Sequence, residues 1–158
     1  MPVPARGFVL LITLVSVVAG CDRKPTFQTN YEPMYRAAKA LKAATAVGLS
    51  SQQLGERLQE FATEVSIAAD RAETPEEKAL VAAHLAALDA YKDSHAVWNS
   101  TIQSYSQVND DLEPLVAKYK LPVTNGKFAD GAIQVIWKAA SGHVDKATAL
   151  YYRRASPK

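Results

Sequence analysis

From residue 30 onward, apolar positions recur at alternating intervals of three and four residues, the spacing of one face of an α-helix. Alanine is abundant, and Val, Ile and Thr do not fall in alternating runs, so strands are not expected. A first helix is expected from Tyr31 to Val47, with Asn30 as N-cap, Pro33 in the first turn and Gly48 as the stop. A second starts at Ser50, where Gln53 three residues on completes a capping box. Its inward stripe is Leu54, Leu58, Phe61, Val65, Ala68 and Ala72.

Thr74-Pro75-Glu76-Glu77 is the clearest helix start in the chain, with a capping Thr, a Pro at the first helical position and a Glu closing the box. The third helix carries a seam of Val81, His84, Leu88, Tyr91, His95, Trp98, Ile102 and Tyr105. Asn109-Asp110-Asp111 breaks it. A short helix from Leu112 to Tyr119 follows, with Pro114 in its first turn, and 120–127 forms a loop with an Asn-Gly turn. The last helix is expected from Phe128 to Tyr152, with Ile133, Ile136, Ala140, Val144, Ala147 and Tyr151 facing inward. Four long stripes and short connections predict an all-α fold, an antiparallel four- to five-helix bundle over residues 31–158.

The first 30 residues read differently. Met1 to Arg6 holds the terminal amine and one Arg, and Phe8 to Ala19 is apolar and uncharged. That stretch is too short to span roughly 30 Å of bilayer core as a permanent helix, but it suits an export signal. A buried N-terminal helix or a membrane anchor is the other reading. The segment ends Val18-Ala19-Gly20-Cys21. It resembles the lipobox of bacterial lipoproteins, a branched apolar residue and two small ones before a cysteine. The resemblance covers only residues 1–21. It implies a signal peptide over 1–20, cleavage before Cys21, and palmitate-type acyl chains on that cysteine. Residues 21–30 then form a lipidated tether. More than one acyl chain gives stable anchoring. The expected location is the cell envelope, facing the periplasm. Asp22 resembles an inner-membrane retention signal and Arg23 works against it, so the inner membrane is only slightly favoured over the outer.

Composition narrows the chemistry. The chain is 48% hydrophobic and 22% charged, which supports a real core under a solvated surface. Behind the leader it has 17 basic and 16 acidic residues, so no long-range field gathers nucleic acid. Cys21 is the only cysteine. A single cysteine allows no intrachain disulfide and no C-x-x-C-H haem attachment, and its acylation removes thiol chemistry. No Glu-x-x-His pair precedes any of the three histidines, and His84 and His95 lie roughly 16 Å apart along a helix; no metal or other cofactor is expected. The P-loop, dinucleotide and G-x-S-x-G motifs do not occur. Asp89 and Asp93 form a carboxylate pair one turn apart, beside Lys92 on an outer face, and read as solvated surface. No catalytic residue is assigned.

The seam of the third helix is the unusual feature. It is either a core whose polar tips find hydrogen bonds, or a ligand pocket lined by Tyr91, His95 and Trp98 with Trp137 opposite. Tyr91-Lys92-Asp93-Ser94 followed by Trp98 loosely resembles stretches in uncharacterised bacterial helical proteins, over one helix and with no function implied. The expectation is a lipid-anchored, non-catalytic interaction module with an envelope protein as partner. The alternative is a small-molecule binder or sensor using the seam.

Overall fold

The computed structural model describes residues 26–103 and 108–153. Val18, Ala19, Gly20, Cys21 and Tyr105 lie outside the described residues. Within them are α1 (Phe27–Val47), α2 (Ser51–Arg71), α3 (Pro75–Gln103), the short α4 (Glu113–Tyr119), a two-stranded hairpin of β1 (Val123–Thr124) and β2 (Lys127–Phe128), and α5 (Ala132–Arg153). The long helices run antiparallel in order, and the fold is an all-α bundle. The pairing of α3 with α5 is the most extensive, and α1 closes the ring against α5 and α2.

Two capping boxes form as expected. Ser50 Oγ accepts from Gln53 N and Gln53 Oε1 accepts from Ser50 N. Thr74 Oγ1 accepts from Glu77 N, and Glu77 Oε2 accepts from Thr74 N at 2.9 Å. The start of α1 differs from expectation. Thr26, not Asn30, is the N-cap, its hydroxyl accepting from Thr29 N. Residues 27–30 are already helical, and Pro33 sits in the second turn on the exposed side. The reason is tertiary: Phe27 packs on Tyr31 and on Tyr151 of α5, with ring centroids 5.1 and 6.4 Å apart. Phe27, Tyr31, Met34, Ala38, Leu41 and Thr45 then make one continuous inward stripe, buried from Tyr31 onward.

The α5 boundary also moves. Phe128 is buried, but as part of β2. Asn125 (φ 52°) and Gly126 (φ 71°) both adopt left-handed backbone, the geometry of a type I′ hairpin turn. Gly131 at φ 88° then delays the helix to Ala132. Ile136, Ala140, Val144, Ala147 and Tyr151 are buried as expected, and Ile133 is half-buried.

α3 lies against α1, α2 and α5. Its seam holds through Val81, His84, Leu88 and Tyr91, all buried, and then fails. His95 and Trp98 are only half-buried and Ile102 is 63% exposed. Ser94, Val97 and Ser100 take the inner positions instead. Beyond Tyr91 the buried positions Ser94, Val97 and Ser100 step by three residues, each about 60° short of a full turn, so the buried face winds away from the expected seam.

Candidate functional site

The four seam residues do not converge on one cavity. The Tyr91 ring is fully buried, and its hydroxyl lies beside Ser141 and Thr45 without hydrogen-bond geometry to either. Burial pushes its pKa up, so the phenol stays protonated. Trp98 and Trp137 meet edge to face at 5.5 Å. The Trp137 indole N–H donates to Ser94 Oγ at 3.0 Å, and Ser94 in turn donates to the Tyr91 carbonyl at 2.7 Å. His95 turns the other way, toward α2. A Cβ added at Gly55 would stand 3.5 Å from its Nε2. There a small polar chain crosses the α2–α3 boundary: Ser51 donates to Asn99 Oδ1 at 2.8 Å, and Asn99 Nδ2 lies 3.4 Å from His95 Nε2. So Trp98 and Trp137 are brought together, Tyr91 touches them only through Ser94, and His95 stands apart. None of five surface clefts among the described residues is lined by these four side chains.

His84 is the most deeply buried ionisable group of the seam. Its Nδ1–H donates to the Leu80 carbonyl at 3.0 Å, its ring stands edge-on to Phe61 at 6.1 Å, and Nε2 is buried without a partner. Burial holds its pKa below the ordinary histidine value, against the weaker opposing pull of the Leu80 hydrogen bond. Asp93 is not the free carboxylate expected of an outer face. It accepts from Lys118 Nζ and Tyr119 OH, each at 2.7 Å, and so ties α4 to α3. The same contact drives the Lys118 pKa up. Asp89 remains exposed. Among the described residues no three His, Cys, Asp or Glu side chains gather in a way that could hold a metal ion.

A second cluster escaped the sequence reading. Where α1 begins and α5 ends, Tyr35 stacks on Tyr151 at 4.3 Å with nearly parallel rings. Tyr35 OH donates to Tyr152 OH, and Tyr151 OH donates to the Gln28 carbonyl at 3.3 Å. Burial first, and then the bond to Tyr152, push the Tyr35 pKa up to about 12. Beside this cluster opens a cleft of about 280 Å³ lined by Phe27, Pro75, Glu76, Ala79, Leu150 and Arg153. A further ion pair, Lys42 with Asp145, joins the same two helices. The signal for this cluster was a pair of Tyr at 151 and 152 facing aromatic positions at 27, 31 and 35. It becomes visible only once α1 and α5 are known to be neighbours.

Among the described residues no helix is long and apolar enough to cross a membrane. No family model, no curated protein and no solved structure matches the chain.

Proposed function

We propose that the protein is a lipid-anchored component of the bacterial cell envelope, whose helical bundle works without catalysis by binding another envelope protein at its surface. The observation that supports this most is Val18-Ala19-Gly20-Cys21 behind an uncharged apolar leader. Small residues before the scissile bond suit a signal peptidase, and a thiol is the nucleophile needed to accept a diacylglyceryl group. Tyr91, His95 and the Trp98–Trp137 pair line none of the five clefts described, which lends less support to the alternative of a small-molecule binder at that seam.

The test is metabolic labelling with a palmitate analogue in a diderm bacterial host, with mass spectrometry of the N-terminal peptide. Diacylglyceryl-Cys21 is the expected mature terminus, and Cys21→Ser is expected to lose all label. Label that survives the substitution, or a mature terminus elsewhere, defeats the anchor. The binding half is tested in the same cells with a photo-crosslinking residue placed in turn at the exposed apolar positions Val47, Ile67, Leu85 and Ile102. The expected result is a discrete adduct from at least one of them; smears or nothing at all four positions defeats it.

A further inference from the structure

We propose that the end of the bundle built from the start of α1, the start of α3 and the end of α5 rests on the lipid bilayer itself. Phe27, Leu150 and Tyr152 lie in the headgroup layer and Arg153 beside the lipid phosphates. This rests on the anchoring of Cys21 and goes beyond it: a tether keeps a domain nearby, whereas here one particular face is in contact.

Chain length sets the orientation. α1 starts at Phe27, so only residues 22–26 separate the helix from Cys21. Even fully extended they span roughly 20 Å. α3 has 29 residues and is about 43 Å long. The end that holds Phe27 is therefore the only one the anchor can bring to the surface without laying the domain on its side.

The chemistry of that end suits a lipid interface. Tyr152 is 53% exposed despite its size, and tyrosine places an apolar ring and a polar tip across the headgroup boundary. The cleft beside it is walled by Phe27, Pro75, Ala79 and Leu150, with Arg153 and Glu76 at its edge. It offers apolar area to the upper acyl region and a guanidinium to phosphate. Arg23 and Lys24 stand in the connecting stretch, each attractive to an anionic leaflet. Against them, Asp70 and Glu73 stand exposed at the α2 corner of the same end, with Arg71 between them in sequence. That corner is repelled by an anionic surface. The contact accordingly tilts onto the α1–α5 edge, where the aromatic rings are.

The native tryptophans supply a built-in control. Trp98 and Trp137 lie roughly 24–35 Å along their helices from this end, well beyond the roughly 5–10 Å depth of an interfacial contact. The test reconstitutes the processed, lipidated full chain on phosphatidylcholine–phosphatidylglycerol vesicles brominated near the headgroup. It compares the wild type with Tyr152→Trp and, because that change removes the bond from Tyr35, with Ala79→Trp on the α3 wall of the cleft. Flotation is measured on the same samples. All three are expected to float. The added emission of either probe is expected to fall by about half, as befits a side chain at interfacial depth, while native emission is unchanged. Floating protein with neither probe quenched overturns the contact and leaves the anchor standing. Quenching of the wild type to the same degree means the bundle lies flat and also overturns it. Failure to float removes both the anchor and the contact.

Discussion

Replacing His84 by leucine is expected to stabilise this protein. The ring is fully buried. Because Nδ1 bonds a carbonyl, it must carry the proton, and Nε2 is left as an acceptor with no donor. An unsatisfied buried acceptor costs about 1–3 kcal/mol, and a hydrogen bond such as that to Leu80 contributes about 1 kcal/mol. The Leu80 carbonyl also lies within the helical ladder, so losing the ring leaves it satisfied. Leucine has similar volume and no polar atoms. The balance favours His84→Leu by about 1 kcal/mol at pH 7, or about 4 °C in the melting midpoint for a domain of this size.

Acid widens the gap. The folded-state pKa of His84 is depressed, so between it and the unfolded value of about 6.5 the unfolded chain binds more protons. Stability then rises with pH. It is fully present above the unfolded pKa and falls by up to about 1.4 kcal/mol per pH unit as pH drops toward the folded one. Between pH 7 and 5.5 the wild type is expected to lose stability through this group, a loss the leucine variant does not share. Urea unfolding followed by circular dichroism at both pH values measures it. A variant less stable than wild type at pH 7 would mean that Nε2 has a partner. A wild-type-to-variant difference that stays constant with pH would mean that the ring is not desolvated in the native state.

Ser94→Ala removes the acceptor of the Trp137 indole N–H; it is expected to cost about 1 kcal/mol and to shift tryptophan emission, and unchanged emission would mean the Trp98–Trp137 pair is held by packing alone. Asp93→Asn should release α4 with little effect on global unfolding, because Lys118 is half exposed and such pairs contribute about 1 kcal/mol or less. Hydrogen exchange is expected to quicken in 113–119 and not in α3; equal acceleration in both would show that Asp93 supports the whole bundle.

The features legible in the sequence were those set by residues a turn apart. Ser50 with Gln53 and Thr74 with Glu77 bond within three residues, so their meaning does not depend on the rest of the fold. Boundaries decided by distant contacts were not legible. Thr26 and Asn30 are both good caps, and the choice falls to Phe27 packing on a tyrosine 124 positions further along the chain. The hairpin turn was visible as Asn-Gly, but Gly131 rather than Phe128 decided where α5 could start. The seam misled for a geometric reason: beyond Tyr91 the neighbours of α3 select Ser94, Val97 and Ser100, whose three-residue steps wind the buried face away from the apolar stripe. No local pattern in the sequence marks Ser94 out. Its role required Trp137, 43 positions away, to be brought against it.

The hydrogen bond from Tyr151 to Gln28 has a practical meaning for anyone building on this protein. It fixes both ends of the described chain side by side at one pole of the bundle. A reporter fused after α5 begins at that pole, beside the first turn of α1. The Asn125-Gly126 hairpin lies toward the other pole, exposed and with open space beside Gly126, and tight exposed loop tips are where inserted domains are best tolerated. A fluorescent module or epitope placed there points outward and leaves the aromatic pole unencumbered.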